Sequence, residues 1–323
     1  MAVYRNSISE VEMDKEFLFS VIEGLSQPEK KLSSMYFYDD EGSRIFQEIM
    51  AMPEYYLTNS EYEILSEQGA EIANSLSFNN SFRLIELGAG DGTKTFKLIE
   101  NLKSQGLDFE YIPIDVSQGA LDSLEEKIIA SNLNVNYTLK QGDYFEVLSS
   151  LPIDKPAVYL FLGANIGNFV PKDAFDLVKR IGDHIQKGDV LITGFDLKKN
   201  PLLIHQAYFD PHGITKRFNL NLLNRINNEL VADFVLGQFD FYCHYNPING
   251  EVRSYLVSLV KQTVSFYDGT KIEFERFELV NTELSKKYDL KEIENLAKDA
   301  GFEFKNHFID SQRYFTDSLW VKN

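Results

Sequence analysis

The chain has 323 residues, more than one ordinary domain of roughly 100 to 200 residues and fewer than three, and its 44% hydrophobic and 25% charged residues suit a soluble globular protein. Lys plus Arg total 32 against 49 Asp plus Glu, a formal net charge of -17, and that field repels nucleic acid and anionic membrane surfaces unless a local basic patch overcomes it. The longest basic clusters are pairs, among them Lys30-Lys31, Lys198-Lys199 and Lys286-Lys287, which read as solvated faces, so neither partner is expected.

In chain order, Glu10, Glu12, Asp14 and Glu16 stand where a signal peptide needs a basic and then an apolar run. Phe17, Val21, Ile22 and Leu25 have the spacing of a short lead-in helix. From Phe37 to Glu67 the chain is aromatic and acidic, and Ile45, Phe46, Ile49 and Met50 keep a helical period. Pro53 and the turn chemistry of Thr58-Asn59-Ser60 interrupt it; Ser60 with Glu63 has the form of a capping box that starts the next helix. Ser77 to Ser81 reads as a linker.

From Phe82 to Phe195 short apolar runs alternate with amphipathic ones. RLIELG, EYIPID, VNYTLKQGD, AVYLFLG and DVLITGFD are strand-like, and Thr93 to Leu102, Gln118 to Ile129 and Ala174 to Ile185 are helical. That alternation predicts a doubly wound α/β fold, a parallel sheet covered by helices, with ligand at the carboxyl ends of the strands. Residues 196 to 285 break the pattern with helices at Pro201 to Phe209 and Asn219 to Leu230 and strand-like runs at Arg253 to Phe266 and Lys271 to Phe277, an added domain of mixed α+β type. Asp289 to Ala300 returns to helix, with Gly301 as its cap. FEFKNHFID and YFTDSLWVK then form a terminal hairpin that adds an antiparallel strand to the sheet. Cys243 is the only cysteine and the five histidines are scattered without an HExxH, so neither disulfide nor metal is expected. No run nears the roughly 20 apolar residues of a spanning helix, and a cytoplasmic enzyme or binding protein is expected.

The strongest local signal is Glu86-Leu87-Gly88-Ala89-Gly90-Asp91-Gly92, after a strand and before a helix. A dinucleotide fingerprint needs a third glycine where Thr93 stands, so a pyrophosphate is disfavoured. A glycine loop preceded by an acid suits a cationic ligand without phosphate, such as S-adenosylmethionine. Asp115 ends the second strand, where a carboxylate accepts both ribose hydroxyls. Asp143 ends the third, where it accepts the adenine amino group while Tyr144 covers the ring. Taken alone, either aspartate is equally a helix cap.

The chain resembles the histidine-specific methyltransferase family, which trimethylates the histidine α-amine in ergothioneine synthesis. The resemblance covers nearly the whole chain. It rests on FYDDEGSRIFQEIMAMPEYYLTNSEYEIL, ELGAGDGTKT, YIPIDVS, FLGANIGNF, GFDLKKNPLLIHQAYFDPHGITKRFNLNLLNRINNELVADF, the ELS of NTELSKKY and the closing FTDSLW. It implies a Rossmann-like class I methyltransferase sheet, with S-adenosylmethionine as cofactor, S-adenosylhomocysteine as product and a small amino acid as the partner. The cofactor domain is expected at 61–195 and 286–323, the substrate domain at 1–60 and 196–285.

By the resemblance, the cofactor site takes Tyr38, Gly88, Lys94, Asp115, Asp143 and Tyr144, which adds Tyr38 and Lys94 to the loop glycines Gly88 and Gly90 and the strand-end acids. Asn168 and Tyr208 take the substrate carboxylate, with Tyr55, Glu283 and Ser285 around the imidazole and Tyr38 orienting the amine. Two departures stand out. Ala164-Asn165 replaces a Ser-Thr pair common in the family, and Glu251-Val252-Arg253-Ser254 replaces Arg-Ile-Glu-Met, so a methionine position that would line the imidazole pocket is Ser254 here. The alternatives are an N-methyltransferase of another free amino acid or a tryptophan derivative, as in fungal relatives of this family, and a non-catalytic cofactor-binding module; a nicotinamide dehydrogenase is weakened by Thr93.

Overall fold

The computed structural model describes residues 15–76, 78, 81–131 and 133–323. The acidic run before Lys15, and residues 77, 79 and 80 of the expected linker, lie outside the described residues. The chain forms two compact units, each discontinuous in sequence. The first takes the described residues up to Met52 together with His205–Tyr245 and Arg253–Glu283; the second takes Pro53–Ile204, Asn246–Val252 and Leu284–Asn323.

The first unit begins with α1 (Lys15–Leu25), which buries Phe17, Val21 and Leu25 along one face. In α2 (Asp40–Met50), the Asp39 carboxylate caps the start by accepting from Gly42 N at 2.7 Å, and Ile45 and Ile49 are buried.

The second unit opens with α3 (Tyr56–Glu67) and α4 (Gly69–Ser75). Here the capping-box expectation fails, because Ser60 and Glu63 lie inside α3. The buried stripe Leu57, Ser60, Glu61, Ile64 and Leu65 has the 3.6-residue period, so the helix has to start before Ser60. The supposed cap groups serve tertiary contacts instead: Ser60 Oγ donates to Asp310 Oδ2 at 3.4 Å, and Glu63 accepts from Ser311 N at 2.7 Å.

The sheet follows as β1 (Phe82–Leu87), α5 (Thr95–Ser104), β2 (Phe109–Asp115), α6 (Gln118–Ser131), β3 (Asn136–Tyr137), β4 (Lys140–Gln141), α7 (Tyr144–Ser150), β5 (Ala157–Phe161), α8 (Pro171–His184) and β6 (Val190–Asp196). The run VNYTLKQGD is thus two short pieces rather than one strand, and α7 was absent from the sequence expectation. Strands β1, β5 and β6 are buried at every position, as expected where helices cover both faces. Leu84, Val158 and Ile192 join the core on one face, and Ile85, Tyr159 and Leu191 the core on the other.

The chain returns to the first unit within α9 (Pro201–Tyr208), at His205, and continues into α10 (Ile214–Leu230), which buries Phe218, Leu222, Leu223 and Ile226. Strands β7 (Phe239–Asn246), β8 (Glu251–Ser258) and β11 (Leu279–Lys286) form a sheet in the order β11-β8-β7, and β9 (Gln262–Ser265) pairs with β10 (Lys271–Phe274) as a hairpin. The expected strand Arg253 to Phe266 is divided between β8 and β9, and β7 had no counterpart in the sequence reading. The chain closes with α11 (Leu290–Asp299), β12 (Phe302–Ile309) and β13 (Phe315–Lys322). A capping box does occur here, between Asp289 and Glu292.

The large sheet has the order β12-β13-β6-β5-β1-β2-β3, with β4 also on β2. Pairs β1 to β2, β1 to β5 and β5 to β6 are parallel, while β13 is antiparallel to both β6 and β12. The chain therefore winds outward from β1 through β2 and then crosses back to β5 on the other side of β1. That reversal is the switch point at which open α/β sheets bind ligands.

Two of the basic pairs are not solvated faces. Lys286 and Lys287 are buried, and the Lys199 side chain is 6% exposed. Each has a carboxylate within reach, Glu292 for Lys286 and Asp196 for Lys199 and Lys287, the condition for burying an ammonium. No helix among the described residues is long and apolar enough to cross a membrane.

Candidate functional site

At the end of β1 the chain turns through Gly88 (φ +74°), Gly90 (φ +54°) and Gly92 (φ +65°), a left-handed backbone that only glycine adopts cheaply. The three do different work. A Cβ on Gly92 would lie 2.3 Å from Leu124 Cδ1, whereas one on Gly88 or Gly90 would meet nothing within 4 Å. Gly92 thus allows helix packing, and Gly88 and Gly90 leave bare backbone beside open space.

Asp115 locks this loop to the end of β2. Its Oδ2 accepts from Gly90 N at 2.9 Å and its Oδ1 from Ser117 N at 2.9 Å. Since an ionised carboxylate has about four acceptor positions, two remain for a diol. Gly142 N donates to the Asp115 carbonyl at 3.0 Å, which brings the end of β4 beside that of β2. Asp143 follows, exposed, and caps α7 through Oδ1, which accepts from Phe145 N at 2.9 Å and Glu146 N at 3.2 Å. Its Oδ2 takes no part in the cap. Tyr144 begins α7 with its ring 4.7 Å from Phe145, and burial, then the Asp143 charge, pushes its phenol above the ordinary value.

Lys94 precedes α5 and is anchored rather than free. Its ammonium pairs with Glu61, a fully buried carboxylate that also accepts from Gly163 N at 2.7 Å, in the loop after β5. Desolvation pulls the lysine down, but the charge and hydrogen bond of Glu61, together with the Asp317 and Glu86 charges, outweigh it and the net shift is upward. Asp317 is fully buried nearby, and burial, then the Glu61 charge, holds its carboxyl well above the usual range. Glu86, 3% exposed, receives Thr95 Oγ1 and Tyr111 OH, each at 2.5 Å. Burial nevertheless pushes it up to about 7. Sequence reasoning gave Glu61 and Asp317 no role, although both lie within family motifs, NSEYEIL and FTDSLW.

Three of the expected substrate residues belong to the same unit. Tyr55 packs against the sheet core at the start of α3. Asn168 ends a single turn, Asn165–Asn168, and is exposed. The departure at Asn165 is structural: its Nδ2 donates to Leu162 O at 2.9 Å. Ser285, 7% exposed, accepts from Lys287 Nζ at 2.8 Å.

The first unit carries Tyr38, Tyr208 and Glu283. Tyr38 follows the turn Ser34–Phe37 with half its surface exposed, its ring edge-on to Phe46 at 5.5 Å. Desolvation, then the Glu283 charge, raises its phenol far above the ordinary value. Tyr208 ends α9 and is 6% exposed. Glu283, half-buried on β11, receives Ser254 Oγ at 3.3 Å. The residue that departs from the family pattern thus bonds the carboxylate expected to read the imidazole.

Residues 17–322 match the family described as histidine-specific methyltransferase, SAM-dependent. The histidine N-alpha-methyltransferase of Mycobacterium tuberculosis (strain CDC 1551 / Oshkosh) is 33% identical over 304 residues, 94% of this chain and 94% of that protein. The protein of the same name from Mycolicibacterium smegmatis (strain ATCC 700084 / mc(2)155) is 32% identical over 93% of this chain and 92% of its own. The L-tryptophan methyltransferase trpM of Psilocybe serbica is 27% identical, over 94% of this chain and 92% of its own.

Proposed function

The chain belongs to the family of S-adenosylmethionine-dependent, histidine-specific methyltransferases, and on that premise we propose that it methylates the α-amine of histidine, through to the trimethylated betaine. The observation that carries this reading is 33% identity to a histidine N-alpha-methyltransferase over 94% of both chains. The sheet unit suits the cofactor. Gly88 and Gly90 leave backbone bare for close approach, Asp115 has acceptor positions left for a ribose diol, and Asp143 with Tyr144 suits an adenine edge and face. Lys94 completes the set in that unit.

When bound, S-adenosylmethionine supplies an electrophilic methyl group that a neutral amine attacks in line. The chain's part is to hold and orient the acceptor. An α-amine has a reference pKa of about 7.7 to 8.0 in a peptide, and a free amino acid is more basic, so a proton has to leave before attack. A phenol has a reference pKa of about 10, so Tyr38 would orient the amine through its neutral hydroxyl rather than serve as a phenolate base. Asn168 and Tyr208 would hold the carboxylate, Tyr55 and Ser285 would flank the imidazole, and Glu283 would accept its N–H. An apolar side chain would leave that carboxylate without its donor, at a cost in transition-state binding.

The test is to incubate the protein with S-adenosylmethionine and a panel including histidine and tryptophan, and to weigh the products. Histidine carrying one, two and three methyls is expected. Turnover of tryptophan alone would reassign the acceptor, and cofactor binding without turnover of any amine would leave a non-catalytic module. Glu283→Ala should raise the histidine KM far more than the cofactor Kd; equal losses would remove its assigned role.

A further inference from the structure

Glu61 on α3 is a fully buried carboxylate, an arrangement that is costly unless the charge is paired and hydrogen-bonded. Its Oε1 accepts from Gly163 N at 2.7 Å, in the loop after β5, and its Oε2 accepts from Lys94 Nζ. The sheet makes room for it. Gly194 lies inside β6, and a Cβ there would collide with Glu61 Oε1, so a strand position that ordinarily gains from a side chain carries none. One enclosed group thus ties α3, the loop after β5 and the residue ahead of α5 together.

Lys94 is placed differently. Its side chain is 24% exposed, whereas that of Glu61 is wholly enclosed. An ammonium has three donors and no acceptor, and among the described residues Glu61 is its one hydrogen-bond partner, which leaves two donors for a ligand. Ordering a long lysine stem on binding lowers affinity; the bond to Glu61 makes that ordering part of the folded state. Asp317, the other buried carboxyl beside the pair, is kept from ionising by its burial and by the Glu61 charge, so it presents no second anion to the lysine.

The ligand side follows from the same chemistry. With the ribose diol on Asp115 and the adenine on Asp143 and Tyr144, the amino-acid tail of the cofactor remains. Its ammonium and the sulfonium are cations, and its α-carboxylate is the group that accepts from an ammonium. We propose that Glu61 is the positioning residue for that tail: it holds the Lys94 ammonium so that the two remaining donors meet the α-carboxylate. This rests on Lys94 belonging to the cofactor site, as in the function proposed above.

The test compares S-adenosylhomocysteine with 5′-methylthioadenosine, a thioether of the same nucleoside that lacks the amino-acid tail. Kd values for both are measured by calorimetric titration, with displacement for the weaker ligand, on the wild type, Lys94→Met, Glu61→Gln and the double variant. Glu61→Gln keeps an acceptor for Gly163 N and removes the charge. Each single variant should weaken S-adenosylhomocysteine about tenfold, the scale of one charge-assisted hydrogen bond, and leave 5′-methylthioadenosine within about twofold. A glutamate that only supported the fold would weaken both ligands alike. Because Glu61 acts through Lys94, its replacement in the Lys94→Met background should cost no more than about twofold further.

Unchanged or tighter S-adenosylhomocysteine binding in Glu61→Gln, equal losses for the two ligands, or losses that multiply in the double variant would overturn the proposal. If Glu61→Gln does not fold, Glu61→Asp decides, because it keeps the charge and loses the reach: a loss confined to S-adenosylhomocysteine supports the inference, and equal losses or none overturn it. A Lys94→Met that does not separate the two ligands would remove Lys94 from the cofactor site and this inference with it. Separation by Lys94→Met without separation by the Glu61 variants would remove the inference alone.

Discussion

Replacing Gly88 and Gly92 separately with alanine should split binding from stability at two positions of one loop. Both residues have left-handed φ, +74° and +65°, where an alanine costs roughly 1 to 2 kcal/mol. For Gly88→Ala the cost ends there, since the new methyl would meet no protein atom within 4 Å. At about 2 to 4 °C per kcal/mol, the ligand-free Tm should fall by only a few degrees. Gly92→Ala adds a collision at 2.3 Å with Leu124 Cδ1, a fully buried side chain, and overpacking of this kind typically costs a further 1 to 3 kcal/mol or so. Its loss of Tm should be about twice as large. Affinity should run the other way. The Gly88 methyl occupies the space through which a cofactor reaches bare backbone, so its Kd for S-adenosylhomocysteine should rise at least about tenfold, or 1.4 kcal/mol, with a smaller rise for Gly92→Ala. Melting curves and calorimetric titration measure the two quantities on the same samples. Wild-type affinity in Gly88→Ala would refute the assignment of the open glycines to the cofactor, and a larger Tm loss there than in Gly92→Ala would refute the division of labour.

Two further substitutions test buried carboxyls. Glu86 is pushed up to about 7 from an ordinary 4.5, so the folded state keeps a proton that the unfolded chain loses. The stability from that proton is fully present below 4.5 and is lost as pH rises to about 7, on the order of 3 kcal/mol. Glu86→Gln should therefore show a flatter decline of Tm between pH 5 and 7.5 than the wild type, and parallel curves would count against it. Asp210 has the opposite shift: burial raises it, but hydrogen bonds from Thr215 and Ile214 outweigh that and lower it. It accepts from the backbone N–H groups of His212, Ile214 and Thr215 at 3.0, 2.9 and 2.8 Å. Its stabilisation is present above the unfolded value of 3.8 and fades as pH falls through the depressed folded value. Asp210→Ala, which strands three donors at and just before the start of α10, should cost about 1 to 3 kcal/mol in urea unfolding at neutral pH; an unchanged midpoint would show that the loop reorganises freely.

The parts of the fold legible in the sequence are those set by local chemistry. Strands β1, β5 and β6 are covered on both faces and so spell continuous apolar runs, and the Gly88 to Gly92 turn needs only its own backbone and the adjoining strand ends. Ser60 and Glu63 misled because they spell a cap, while the partners that claim them, Asp310 and Ser311, come about 250 positions later and leave no mark on the local period. The lysine pairs misled in the same way: nothing near Lys286-Lys287 announces Asp196. Within the site, Asp115 and its contact with the glycine loop follow from adjacency of strand ends, but the anchoring of Lys94 by Glu61 is a product of tertiary pairing. A motif with no assigned chemistry, such as FTDSLW with its buried Asp317, was the available signal, and it marked position without stating purpose.

The antiparallel pairing of β13 with β6 also bears on how the molecule is made. Phe315 pairs with Asp196 and Val321 with Val190, so one side of β6 waits about 120 residues for its neighbour, a long-range closure of the kind that slows folding. At roughly 5 to 20 residues per second on the ribosome, that interval lasts about 6 to 24 seconds. Throughout it, a strand buried at every position in the finished protein presents an unpaired apolar edge, the template on which other chains add strands. The yield of active protein would then be governed by translation speed and chaperone supply while the final strand is still being synthesised.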